Sequence, residues 1–418
     1  MHPIEVGYYD FQRIYLWLQY SDKLPLFTEI VIEVFYPNDM QAKGLVMFDH
    51  GFMIGPNLLF YPELVYSKIT NKETPLFQVN PSRYYNYTKA AVDNKWAMAF
   101  VTTCHQQVEG MPWTDFGGSP RVGQSAYAAA CYLIRYGATH KYDDTKAVNK
   151  ARFLSSMGKS TNGNCMGNNV IFAGHSVGGA HAQAAACGFE ALQEIGAQSL
   201  KFYDPIFYNG EVCPEHTPPL SKWDASQMAS AAGLLQLSPV DGAGGQIIPI
   251  LAPGMKPYRE YLSRVPMPNL MVTGACDSAC LNPKNSNPPA WIDVNDKKNS
   301  QYAQMAYSCK DSWAATCMVE KGSHCGYLSE CNDLCSVADN TNLCTQSVTP
   351  YKAAAEEYRF TSELFDQYIK CVETAGADGC SFDEWKNGSL MQWLNKPQPG
   401  TSGITLRQFP DGYVHFAH

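Results

Sequence analysis

Ser176, Asp277 and His324 are the residues whose types and spacing point to chemistry in this chain. A serine hydroxyl attacks an acyl carbon only when a base takes its proton, a carboxylate holds that base in one tautomer, and donors receive the oxyanion. Ser176 stands in Gly174-His175-Ser176-Val177-Gly178, after the apolar run Val170-Ile171-Phe172-Ala173 and before an Ala-rich stretch that predicts a helix from Gly179 to about Leu192. Small flanking residues let a strand reverse sharply into a helix and lift the hydroxyl clear, which is the geometry of a nucleophile elbow. Lys321-Gly322-Ser323-His324-Cys325-Gly326 reads as a tight turn presenting an imidazole, and Asp277 lies just past the apolar run Pro268 to Gly274. His105 is the rival base, and Asp241 and Asp204 are the rival acids; an aspartate after a strand is also an ordinary turn former. His175, inside the elbow, is expected to point away from the nucleophile. The oxyanion donors are expected to be the backbone N–H groups of Val177 and Phe52, the latter in the Gly-containing loop His50-Gly51-Phe52. Met53 and Val240 are placed at the wall of the substrate cleft, and no metal or organic cofactor is implied.

The elements that must position these groups follow from periodicity. Val6 to Trp17 and Thr28 to Tyr36 alternate in the manner of paired strands and predict an antiparallel hairpin. Gly44 to Phe48 and Trp96 to Thr102 are short continuous apolar runs, suited to strands covered on both faces. Helices are predicted at Tyr87 to Asp93 and Gln124 to Tyr136, and further strands at Ala231 to Leu237, Pro268 to Gly274 and Ala314 to Glu320, the last preceded by a helix from Gln301 to Ser312. Strands alternating with helices imply a parallel sheet, whose ligands gather at the carboxyl ends of its strands. Three apolar strands end at Ser176, Asp277 and His324, in the chain order that an elbow sheet requires. Residues 189–228 lack a sustained period and read as an insertion before the sixth strand. Tyr351 to Val372 reads as a helix, followed by a Gly/Pro-rich tail with no evident core of its own.

A chain of 418 residues with 45% apolar content can bury one large core with insertions or two modest ones. The net charge of −8 comes without a basic cluster, which excludes nucleic acid as a partner. No run approaches the roughly 18 apolar residues of a membrane span. Oligomeric state is not readable from the sequence. Of fifteen cysteines, eight (Cys276, Cys280, Cys309, Cys317, Cys325, Cys331, Cys335, Cys344) crowd one stretch, and Cys371 and Cys380 bracket a turn, as in disulfide stapling in an oxidising compartment. Cys276-x3-Cys280 and Cys331-x3-Cys335 are also spaced like zinc ligand pairs, but the thiols are too many and too irregular for such a site. An odd count leaves at least one free thiol, for which Cys104 or Cys187, both in apolar surroundings, is expected. With the sequons Asn86-Tyr87-Thr88 and Asn387-Gly388-Ser389, the expectation is a secreted or lumenal glycoprotein whose signal is not in this sequence.

These residues resemble the α/β-hydrolase fold over about residues 40–330, and within it the chlorophyllase-like, dienelactone-hydrolase-type and cutinase-like polyester hydrolases. Asp49-His50-Gly51-Phe52-Met53 followed by Asn57 to Tyr61 is similar to the chlorophyllase oxyanion loop, and Gly174 to Gly179 to its elbow apart from Val177. Ser238-Pro239-Val240-Asp241-Gly242 resembles the loop after its sixth strand, except that chlorophyllases carry an aspartate at Ser238. Gly274-Ala275-Cys276-Asp277-Ser278 resembles the acid loop of polyester hydrolases, one residue short, which moves the expected acid to the seventh strand. The whole chain reads as an α/β-hydrolase domain at 1–349, with a Cys-rich loop at 325–348 and the helix and tail 350–418, which has no core of its own, packed on the same domain. The resemblance implies a carboxylic ester hydrolase acting on a small-molecule or polymeric apolar ester. A catalytically silent binding protein, and a thioesterase or protease using the same triad, are the alternatives.

Overall fold

The computed structural model describes residues 8–21, 24–38, 41–51, 81–104, 123–136, 152–153, 170–188, 191–192, 206–207, 229–239, 258, 261–262, 267–274, 314–319, 324–329, 350–377, 382–394 and 414–416. The elements in chain order are β1 (Tyr8–Ser21), β2 (Leu24–Tyr36), β3 (Gln41–Ala42), β4 (Leu45–Asp49), a 3-10 turn (Pro81–Tyr84), α1 (Tyr87–Asp93), β5 (Ala97–Cys104), α2 (Gln124–Tyr136), β6 (Arg152–Phe153), β7 (Val170–His175) and α3 (Val177–Ala186). They continue with β8 (Ile206–Phe207), β9 (Ala231–Leu237), β10 (Asn269–Gly274), β11 (Ala314–Val319), α4 (Pro350–Ala377), α5 (Phe382–Asn387), α6 (Ser389–Leu394) and β12 (Val414–Phe416).

The continuous apolar runs form strands because both of their faces are covered. Leu45 and Met47 of β4, with Val170 and Phe172 of β7, face one core shared with α2 and α3. Val46, Phe48, Ile171 and Ala173 face the opposite core, filled by Tyr87 and Ala91 of α1 and by Phe365, Tyr368 and Ile369 of α4. Helices therefore cover the sheet on both sides. Ten strands form that sheet in the order β12-β11-β10-β9-β7-β4-β5-β2-β1-β8. Neighbours from β5 through β11 run parallel, and β2 runs antiparallel to both β1 and β5. The hairpin predicted at the start of the chain is this β1–β2 pair.

Several elements depart from the sequence reading. α3 stops at Ala186 instead of Leu192, because Gly188 adopts φ +86° and the N–H groups of Cys187 and Gly188 turn back onto the carbonyls of Ala184 and Ala185. The 189–228 segment, read as irregular, contributes β8, which pairs with β1. The tail contributes α5 and α6, whose Trp385, Leu390, Met391 and Leu394 are buried in the second core, and β12, which pairs antiparallel with β11. β11 is thus not the last strand. The helix expected at 301–312 lies outside the described residues.

Candidate active site

The sheet order and one strained residue build the site. β7 lies near the centre of the sheet, and Ser176 follows its last residue with φ +59° and ψ −124°. A non-glycine residue in this conformation is costly and persists only where the surroundings over-determine it. Here the surroundings are explicit. A Cβ on Gly174 would meet the Gly178 carbonyl oxygen at 2.2 Å, so only glycine lets the strand fold back on the first turn of α3. The Ser176 N–H still donates to the Leu237 carbonyl at 2.9 Å, which ties the elbow to β9. Val177 opens α3, so its N–H is one of those with no acceptor inside the helix.

His324 is buried five residues beyond β11, and its Nε2 lies 2.9 Å from Ser176 Oγ. The strands that precede the two residues are not adjacent, since β9 and β10 lie between β7 and β11. The imidazole reaches back over them because the turn 324–329 is pinned from below. The Tyr87 hydroxyl donates to the Tyr327 carbonyl, the Ser329 N–H donates to the Arg83 carbonyl at 2.9 Å, and Cys325 is disulfide-bonded. Ser238, fully buried at φ +41°, donates its hydroxyl to Tyr327 Oη at 3.2 Å. Ser238 therefore braces the turn that carries the histidine.

His175, expected to point away from the nucleophile, contacts the turn that carries the base. Its ring is buried between Tyr84 and His324, with Nδ1 2.7 Å from Tyr84 Oη and Nε2 2.7 Å from the His324 carbonyl oxygen. Tyr84 Oη accepts from the Gly51 N–H at 3.0 Å, and burial pushes this phenol's pKa up. Tyr84 and Tyr87 are core residues: both are fully buried, against Phe48 and, for Tyr87, Phe365.

Three titratable groups to which the sequence assigned no catalytic role have shifted pKa values. Asp49 ends β4 almost fully buried, and removal from water pushes its pKa up to about 8. His50 is lowered by burial, against the carbonyl of Gly51 that its Nδ1–H reaches at 2.6 Å. His181, on α3, is lowered to about 4 by burial and then by the neighbouring His50, and its Nε2 is buried without a hydrogen-bond partner among the described residues. The only sequence signal for Asp49 was a charge closing an apolar strand.

Asp277, Phe52, Met53, Val240, Asp241, Asp204 and His105 lie outside the described residues. Among the described residues, no group of three or more His, Cys, Asp or Glu side chains could hold a metal ion, and no helix is long and apolar enough to cross a membrane. Cys187 carries a free thiol. Cys317 and Cys371 are buried and not disulfide-bonded, which removes both from the expected disulfide framework. Tyr87 and Thr88 of the first sequon are fully buried, whereas Asn387 of the second is exposed.

No protein-family model matches the chain, and no curated protein does. Solved structures do. An esterase domain from a Rhodothermus marinus protein matches with a TM-score of 0.38 at 8% identity, over 86% of this chain and 98% of its own. An acylaminoacyl peptidase from Pyrococcus horikoshii matches with a TM-score of 0.42 at 10% identity, over 91% of this chain and 45% of its own. An S-formylglutathione hydrolase from Agrobacterium tumefaciens matches with a TM-score of 0.36 at 12% identity, over 86% of this chain and 94% of its own. Likeness at this level leaves the assignment to the chain's own strand order. A parallel run β5-β4-β7-β9-β10-β11, flanked by antiparallel β2, with a strained serine where the central strand turns into a helix, makes this an α/β-hydrolase-fold protein.

Proposed function

We propose that the chain is a serine carboxylic ester hydrolase acting on an apolar ester. The observation that carries the reading is the 2.9 Å approach of His324 Nε2 to Ser176 Oγ at the strained elbow. That is the distance at which an imidazole takes a hydroxyl proton. In this mechanism Ser176 Oγ attacks the ester carbonyl while His324 accepts its proton. The N–H groups of Val177 and Phe52 receive the oxyanion, and Asp277 orients His324 and stabilises its cation. The C–O bond to the leaving group then breaks, and His324 returns the proton to the departing alcohol. Water, deprotonated by the same imidazole, attacks the acyl-enzyme and frees the acid and Ser176.

Composition supports an apolar ester: Ile247, Ile248, Ile250, Leu251 and Met255 crowd the glycine-containing stretch 242–257, which follows Val240 in sequence, and Phe52 and Met53 follow β4. The concentration of cysteine at 276–344 and the disulfide at Cys325 support a secreted or lumenal setting. The direct test is labelling by a fluorophosphonate, which should modify the wild type and vanish in Ser176→Ala; persistent labelling removes Ser176 from the mechanism. Rates with short and long p-nitrophenyl esters, chlorophyll and a polyester film then rank the substrate classes, and a preference for the shortest ester would overturn the apolar assignment.

A further inference from the structure

We propose that His175, held by Tyr84, is a positioning residue for the base: its Nε2–H donates to the carbonyl of His324 and sets where that imidazole meets Ser176. The inference rests on the esterase reading and deepens it. Its strength is that the proton order of the whole chain of contacts follows from its two ends. The Gly51 N–H can only donate, so Tyr84 Oη accepts from it and has its own proton left to give. The nearest acceptor is His175 Nδ1, at 2.7 Å. An Nδ1 that accepts leaves the ring proton on Nε2, which faces the His324 carbonyl at 2.7 Å, a group that can only accept. Starting from the His324 end yields the same order.

The burial that raises the Tyr84 pKa keeps its hydroxyl protonated and therefore donating. The ring centroid of His175 is 4.8 Å from that of His324. A cation there would repel the imidazolium that forms when Ser176 gives up its proton. The same contacts join two parts of the site that are far apart in sequence. Gly51 enters the loop that carries Phe52, and His324 carries the proton, so oxyanion donor and base are referenced to one buried ring.

The test separates hydrogen bonding from bulk. His175→Gln places an amide N–H near the position of Nε2, whereas His175→Asn keeps an acceptor near Nδ1 and falls short of the His324 carbonyl. In the full chain, His175→Asn should lose about 30- to 100-fold in kcat on a p-nitrophenyl ester and in the rate of fluorophosphonate inactivation, with KM within about threefold. His175→Gln should recover most of that loss. Tyr84→Phe should cost about 3- to 10-fold alone and nothing more when added to His175→Asn, because it acts through His175. Thermal unfolding of each variant is measured alongside. Equal losses in Asn and Gln variants, losses that track melting temperature alone, or additive losses in the double variant overturn the proposal. If the single His175 variants do not fold, Tyr84→Phe with unchanged kcat overturns it as well. A wild type inert to the fluorophosphonate would instead sink the esterase reading itself, so the two failures are distinguishable.

Discussion

Gly178→Ala is the sharpest probe of how the elbow is held. A Cβ on Gly178 would fall 2.2 Å from the carbonyl oxygen of Asp49 and 2.3 Å from that of His50, where ordinary contact begins near 3.4 Å. Both obstacles are backbone, so no side-chain rotation relieves them. β4 is paired on one side with β5 and on the other with β7, and it cannot recede without breaking a ladder. The first turn of α3 must therefore move by about 1.2 Å, carrying Val177 and Ser176 with it. Overpacking of this kind costs about 1–3 kcal/mol of stability, and a displacement of about 1 Å at a reacting group costs about 100-fold in rate. Urea unfolding and the rate of fluorophosphonate inactivation measure the two effects separately. Gly188→Ala is the control: its φ of +86° strains any side chain, but none of the described residues lies within 4 Å, so it should lose about 1 kcal/mol and keep its inactivation rate. A Gly178→Ala chain with wild-type unfolding midpoint and wild-type inactivation rate would refute the claim that this close approach positions the serine.

Asp277→Asn should lower kcat by about 10³- to 10⁴-fold, since an asparagine supports the wrong imidazole tautomer, while Asp241→Asn should leave kcat within a fewfold; the reverse pattern would move the acid to the loop after β9. Asp49 makes stability depend on pH. Its pKa rises from 3.8 to about 8 on folding, so between these values the native chain holds a proton that the unfolded chain has released. Stability conferred by that proton declines as pH climbs through the interval and levels off above about 8, a span on the order of 5 kcal/mol. Asp49→Asn should flatten this profile in urea titrations at about pH 5, 7 and 9, and a profile parallel to the wild type would show that Asp49 is already ionised in the fold.

How much was legible in the sequence differs by element, for physical reasons. α1 and α2 have the predicted bounds, because their small and apolar residues recur at helical spacing. β4 and β7 were readable as continuous apolar runs, since burial on both faces leaves little room for polar positions, and β9 and β10 as mostly apolar runs whose buried Gln236 and Asn269 hydrogen-bond to each other. β8 and β12 were not, because two or three residues at a sheet edge carry no period and exist only through the partner they pair with. α5 and α6 were hidden in a stretch rich in Gly and Pro, and their Trp385, Leu390 and Met391 have a core only once α4 is packed on the sheet.

The amino-acid order alone determined that a serine would occupy a strand-to-helix reversal, because Gly174 and Gly178 are the residues that such a close approach demands. It also determined that an imidazole would follow a later strand in a tight turn. Only the tertiary structure decided that the two would meet. β11 stands three strands from β7, roughly 14 Å at ordinary strand spacing, and that gap is closed by Tyr87, Arg83 and His175 holding the turn 324–329 in place. Hydrogen bonds between backbone and side chains more than a hundred residues apart leave no local pattern, so the partner that aims the base was invisible until the chain was folded.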